Sequence, residues 1–338
     1  DNPASHRQEL QALKAVANRY PGQVSLGMEM FNTSHQEVLD KWVAGELSEK
    51  EFLQESDWYS NWQMDFAYYA DLLHYAREMK IPVVGINVSK ELRQEVGMHD
   101  LDELDEETRM QLPDMDFNDP YQKAMVESIF AGHGPGSKMF EAFLRVQTLW
   151  DESMAESIVR HMADKGQEHR MVVIAGGYHV RHGFGIPRRV YRRMPTSYVL
   201  VGSIELVVPA ELQHKLMDVE LPNFPMVPYD YLEYTEYEKL PGERVKLGVR
   251  MYEEDGKVIV EAVVPDSAAA IAGVEEGDII VALDEAPIEE NFDLIYAVNQ
   301  HVSGDRSKLI IERGGERLEL DVTFIPLPMT MKGHGKGK

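Results

Sequence analysis

The sequence predicts an α/β protein: a mostly parallel sheet covered by helices on both faces, followed by a second, smaller β-rich unit. Three observations carry that reading. Short apolar runs at 24–31, 81–88 and 171–177 alternate with helical stretches. The run at 171–177 is the most uniformly apolar, as a strand covered on both faces should be. Between 220 and 242 the texture changes to prolines, tyrosines and acids with no helical or strand period, and a different pattern follows.

Each element has its own signal. The first helix spans 5–20, with Leu10, Leu13, Val16, Ala17 and Tyr20 on one apolar face and Pro21-Gly22 ending it. Ser34 with Glu37, and Ser48 with Glu51, have capping-box spacing and open two more helices. An aromatic helix over 65–80 buries Phe66, Tyr69, Ala70 and Leu73 ahead of the second strand. Helices near 121–131 and 138–165 flank His133-Gly-Pro-Gly136 and lead to the 171–177 strand, with another strand at 197–204. Pro222, Pro225, Pro228 and Pro241 mark 217–243 as a linker lying across a domain surface, since bare linkers seldom carry so many aromatics. The expected layout is an α/β domain over 1–216, the linker, a second domain over 244–326 and a disordered tail over 327–338.

Composition narrows the function. At 43% hydrophobic and 27% charged residues the chain is ordinary globular material. A formal net charge of -24 argues against a nucleic-acid partner, because phosphate binding needs a basic surface. The acid is densest at 100–119, a solvated loop and helix face. The lack of cysteine excludes disulfides, thiolate catalysis and zinc–thiolate sites. No apolar run approaches the ~18 residues that span a bilayer. The opening at Asp1, without methionine and directly before a helix, points to a natural start further upstream. Trp58, Trp62, Trp150 and the 18 methionines read as packing. There is no phosphate-loop Lys-Ser/Thr, no Gly-x-Ser-x-Gly and no His-Glu-x-x-His.

In the C-terminal stretch, Leu247-Gly-Val-Arg-Met251 opens a strand and 257–264 forms its alternating partner. A small-residue helix follows Pro265-Asp-Ser-Ala, Gly277-Asp-Ile-Ile280 enters the next strand, 292–301 is amphipathic, and a hairpin closes over Gly314-Gly315. The order resembles the PDZ family in the form found in bacterial envelope proteases. The resemblance implies a small, partly open β-barrel with two helices that adds a peptide C-terminus to a sheet edge. It implies that Leu247, Gly248 and Val249 receive the terminal carboxylate on backbone N–H groups, beside the helix at 292–301.

In the larger domain, sheet topology points to the strand ends, at Glu29, Asn87 and His179. Glu29 is a carboxylate inside an apolar run, so it needs a partner. His179 follows Gly176-Gly177-Tyr178, where two glycines let another group approach, and His182 with Arg181 adds an imidazole and a cation suited to an anionic group.

Gly27-Met-Glu-Met-Phe31, Gly85-Ile-Asn-Val88, Trp150-Asp-Glu-Ser-Met-Ala155, Ile174-Ala-Gly-Gly-Tyr-His-Val180 and Gly185-Ile-Pro187 follow Asp1-Asn-Pro-Ala-Ser-His-Arg7 in order. As a set, over about 1–210, they resemble the ChaN-like haem-binding, iron-uptake family, in a wider group with Tiki, TraB and erythromycin esterase proteins. The resemblance implies a haem site with Glu29 and His179 carried over from their motifs, His6 at the helix start, and Arg181 and Tyr178 beside them. It assigns the iron ligand to no particular tyrosine, although tyrosine can ligate haem iron. It also implies a preceding strand ending Gly-Glu-x-His-Asp, with Asp1 as that Asp. A bacterial envelope location follows, periplasmic or as a membrane-anchored lipoprotein, and a homodimer stays open. Two alternatives remain: a divalent-metal-dependent hydrolase or peptidase using Glu29 and His179, and a non-catalytic PDZ scaffold.

Overall fold

The computed structural model describes residues 2–130, 137–210, 219–242 and 244–326, and the chain divides into two compact units, Asp1–Lys239 and Leu240–Lys338. The His133-Gly-Pro-Gly136 loop and the tail 327–338 lie outside the described residues. Among those residues no helix is long and apolar enough to cross a membrane.

In the first unit, α1 (Pro3–Arg19) starts beneath Asn2, whose side chain accepts from the Ala4 N–H, with proline where the helix needs no donor. β1 (Val24–Asn32) is buried along nearly its whole length. The Asn32 carboxamide then takes the Ser34 N–H and caps a 3-10 turn, so α2 (Gln36–Ala44) starts after His35 and Ser34 is not its cap. The Ser48–Glu51 box does open α3 (Glu49–Glu55), with both reciprocal hydrogen bonds made. After the short α4 (Trp58–Asn61), the aromatic stretch splits into a 3-10 turn and α5 (Ala70–Glu78). Rings of Phe31, Phe52, Trp58, Phe66 and Tyr69 pack on one another here, which is why the tryptophan-rich segment is core.

β2 (Val83–Asn87) is followed by α6 (Lys90–Met98), α7 (Glu106–Met110), α8 (Pro120–Ile129) and the long α9 (Lys138–Ala163). β3 (Arg170–Ile174) completes a parallel sheet of order β2-β1-β3, in which Leu26 lies opposite both Val83 and Val172. Two helices follow, α10 (Gly177–Val180) and α11 (Ile186–Arg193).

The next strand departs from expectation. β4 (Val201–Glu205) does not join the three-stranded sheet but pairs in parallel with β5 (Tyr231–Thr235), inside the stretch read as a linker. β5 has no strand period because Tyr231, Glu233 and Tyr234 are all exposed, so neither face is marked. Residues beyond it are tied back, with Asn2 Nδ2 donating to the Glu236 carbonyl and Arg7 forked onto Glu238.

The second unit is an antiparallel sheet of order β11-β10-β8-β7-β6. Its elements are β6 (Val249–Glu254), β7 (Lys257–Val263), α12 (Ala268–Ala272), β8 (Ile279–Leu283), β9 (Ala286–Pro287), α13 (Asn291–Asn299), β10 (Arg306–Arg313) and β11 (Glu316–Thr323). Val258, Val260, Ile280, Leu309, Ile311 and Phe324 form its core. The hairpin over Gly314-Gly315 pairs Arg313 with Glu316, as the sequence predicts.

Candidate functional site

Glu29 lies just past the end of β3's pairing with β1 and three residues before β1 itself ends at Asn32, so it is near the strand end the sequence predicts but not at it. Its Oε2 accepts the Gly176 N–H at 2.6 Å, just past β3, and Asn87 at the end of β2 donates to its backbone carbonyl at 2.8 Å. His179, on α10, is buried, with Nδ1 2.7 Å from Asp151 Oδ1 and Nε2 3.6 Å from Glu29 Oε1. Burial alone pushes this imidazole down, but Glu29 and the hydrogen-bonded Asp151 more than reverse it, and its pKa rises to about 9. At neutral pH His179 is therefore a proton-bearing bridge between two carboxylates. Its geometry holds the Gly176-Gly177 turn against β1.

Asp151 is anchored in turn. Gln122 Nε2 donates to Asp151 Oδ2 at 2.7 Å, and the fully buried Arg189 donates to Gln122 Oε1 while lying 3.1 Å from Glu152. Arg192 and Arg193 close the network on the other Glu152 oxygen. Gly185 has no room for a side chain, because a Cβ would run into the His179 carbonyl and sit 2.9 Å from Asp151 Oδ1. Sequence reasoning did not single out Asp151 as a site residue. Its signal was two adjacent acids, Asp151 and Glu152, on the helix that must face the sheet.

His6 lies on α1 with Nδ1 2.9 Å from Glu9 and its ring 4.7 Å from Tyr69. Burial raises the Tyr69 phenol, a hydrogen bond from Trp62 opposes this, and Glu9 and Glu29 add to the rise, so His6 and Glu29 flank one tyrosine. Tyr178 and Arg181 both act on Tyr229. Burial raises the Tyr229 phenol first of all, Arg181 pulls it down and Tyr178 adds to the rise. A Cβ at Gly177 would lie 3.3 Å from the Tyr229 hydroxyl, so Tyr229 is the group that the glycine pair lets in. Arg181 Nε is buried with no hydrogen-bond partner in the structure.

Next to this turn is a groove of about 590 Å³ whose lining includes Tyr121, His182, Phe184, Arg188, Tyr198 and Met226. Tyr121 stacks on Phe184 at 5.2 Å, and Phe224 meets Phe184 edge-on at 4.9 Å. Burial lowers the His182 pKa, the Met226 carbonyl opposes that, and Arg181 adds to the lowering.

In the second unit, Gly248 has φ +88°. The Gly248 carbonyl accepts from Val264 N–H at 2.8 Å and the Leu247 carbonyl from Ala269 N–H at 2.9 Å, so both are engaged from behind the loop. Beside β6, the Asn291 N–H at the start of α13 donates to Glu253 at 2.6 Å.

A family model described as "Haem-binding uptake, Tiki superfamily, ChaN" matches residues 1–190, more than half of the chain. The chain belongs to that family. Residues 245–324 match the PDZ domain. A probable periplasmic serine endoprotease DegP-like of Pseudomonas putida is 37% identical over 70 residues, covering 21% of this chain and 15% of that protein. The chloroplastic Protease Do-like 8 of Arabidopsis thaliana is 32% identical over 82 residues, covering 24% and 18%. The chain thus spans less than a fifth of either protein's length. A solved structure of cofacial haem binding to ChaN of Campylobacter jejuni is 15% identical and covers 60% of this chain and 78% of that one, with a TM-score of 0.47.

Haem is the cofactor that goes with membership of the ChaN family. The residues present fit it: a buried guanidinium nitrogen without a partner suits an anionic edge, and the aromatic groove suits a flat apolar face. Divalent metal finds no such support, since among the described residues no three His, Asp or Glu side chains are grouped as ligands. His179 shows why: its nitrogens point at separate carboxylates instead of toward a shared centre.

Proposed function

We propose that the ChaN-type unit binds haem as part of iron uptake in a bacterial envelope, while the PDZ domain docks the C-terminus of a peptide or protein partner. The observation that carries the cofactor half is Arg181. A buried guanidinium nitrogen lacking a partner, beside the Tyr178 and Tyr229 phenols, is stabilised by an incoming carboxylate. In this reading Tyr178, Tyr229 and Arg181 line the cofactor side. Glu29 and His179 hold the turn that presents them, and His6 closes the α1 end beside Tyr69. Bound haem supplies an iron centre, which a carrier hands on without chemical change.

The peptide half rests on Leu247, Gly248 and Val249, with β6 as the edge strand at which a peptide adds. An envelope location, periplasmic or lipid-anchored, accords with the family's uptake role.

The test is a haemin titration of the whole protein followed by visible spectroscopy. A saturable, stoichiometric Soret shift that weakens in Arg181→Glu is the expected result. A linear, unsaturable rise in absorbance sinks the haem reading and leaves peptide docking by the PDZ domain standing.

A further inference from the structure

At the amino end of the parallel sheet, away from the candidate site, two imidazoles share one hydroxyl. Ser25 of β1 is fully buried, and its Oγ lies 2.9 Å from His161 Nε2 and 2.9 Å from His169 Nε2. His161 belongs to the last turn of α9. His169 immediately precedes β3, and its N–H donates to the Gly166 carbonyl at 2.9 Å. The three elements tied together here also hold the His179 cluster further along. β1 carries Glu29, α9 carries Asp151, and Gly176 follows β3.

Hydrogen-bond arithmetic limits what the two imidazoles can hold. A serine hydroxyl has one hydrogen to give and two lone pairs to offer. With both rings neutral, or with either one charged, Ser25 accepts from one Nε2–H and donates to the lone pair of the other. With both charged, each ring donates and neither accepts. The buried serine hydrogen then loses its imidazole partner, and two cations stand with ring centroids 6.4 Å apart.

The surroundings add to that penalty. Burial lowers the His161 pKa first of all, Lys165 and His169 add to the lowering, and Asp40 of α2 opposes it. Burial also leads for His169, with Lys165 and Arg170 adding to the lowering. Arg170 is itself fixed, donating to the Gln167 and His169 carbonyls and lying over the Tyr20 ring at 4.7 Å. Both folded values lie below the ordinary 6.5, so the contact is at full strength above that pH and weakens as pH falls from there through the folded values.

We propose that Ser25, His161 and His169 form an acid-released latch that pins the end of α9 and the start of β3 to β1. It stays closed with at most one charged imidazole and opens with the second proton.

The test is hydrogen exchange read by mass spectrometry on the whole protein at pH 7 and pH 5, corrected for intrinsic exchange, in wild type, His161→Gln and His169→Gln. Glutamine keeps a donor and an acceptor but takes up no proton. In wild type, exchange around His161 and across the start of β3 should be about tenfold faster at pH 5, with β7 of the second unit unchanged. Each variant should change by less than about twofold over the same step. Nitrogen-detected titration of the wild-type imidazoles provides a readout that does not depend on the variants folding. The latch requires His161 and His169 to take up protons in two steps more than about one pH unit apart.

Equal exchange at both pH values in wild type overturns the latch. Acceleration as large in both variants as in wild type also overturns it, assigning the acid response to another group such as the buried His35. Uptake of both protons in a single shared step overturns it as well.

Discussion

Each unit buries ionised side chains, and one in each, of opposite sign, makes the comparison. In the ChaN-type unit it is the His179 imidazolium, set between Asp151 of α9 and Glu29 of β1. In the PDZ unit it is the Asp278 carboxylate, forked onto Arg313 at 2.7 Å and accepting the Glu275 N–H. The first lies at the candidate site; the second braces β8 against β10, apart from the Leu247–Val249 loop. In the proposed function one unit would use side chains drawn from distant elements, whereas the other would use backbone. The two should therefore fail under different stresses.

The largest expected effect is Asp151→Asn, which removes one partner of a buried ion and should cost about 3–5 kcal/mol. All four tryptophans, Trp42, Trp58, Trp62 and Trp150, belong to the first unit, so fluorescence-detected denaturation reads that unit alone. A loss below 1 kcal/mol would mean that His179 is not charged in the fold.

Next comes pH. His179 has a folded pKa of about 9, above the ordinary 6.5, so its contribution is complete below about pH 6.5 and is lost as pH rises through 9. That difference corresponds to roughly 3 kcal/mol. Tryptophan-detected stability should fall over this window in wild type and fall less in Asp151→Asn.

Asp278 works in the other direction. Burial pushes its pKa up, but Arg313 and the Glu275 N–H outweigh that and hold it below 3.8, so its contribution is present above that value and lost as pH falls through the folded value. Arg313→Ala should cost about 1–3 kcal/mol and move acid unfolding of the PDZ unit to higher pH. Faster hydrogen exchange in β8 and β10, with unchanged tryptophan fluorescence, is the signature; equal change in both units would erase the contrast.

Smallest in stability is Gly248→Ala, about 1–2 kcal/mol for a side chain at φ +88°. Its effect on binding of a C-terminal peptide, read by fluorescence anisotropy, should exceed its effect on melting. Intact peptide affinity would remove this loop from the proposed docking site.

The same contrast explains what the sequence disclosed. The PDZ unit was legible through its turns and capping residues: Leu247 and Gly248 mark the loop by their own order, and Ser267 marks the start of α12, which it caps while its hydroxyl donates to the Gly248 carbonyl. Glu29 and His179 were legible as polar groups ending apolar strands. Asp151 and Tyr229 were not, since each joins the candidate site only through a contact made far along the chain. Tyr229 hid in a proline-rich stretch whose strand, β5, exposes its aromatics on both sides and so shows no alternation. The hydrogen bond between His182 and Met226 was equally invisible, since it reaches a carbonyl 44 positions away.

Gly185 carries a last consequence. In a saturation library of this chain, attention would fall on histidines and acids, yet Asn or Gln can keep part of many hydrogen bonds. No residue but glycine fits at 185, where even alanine would meet the His179 carbonyl and crowd Asp151. The position least tolerant of drift around the buried ion is thus one with no side chain at all, and a variant there would present as a folding defect with its chemical groups untouched.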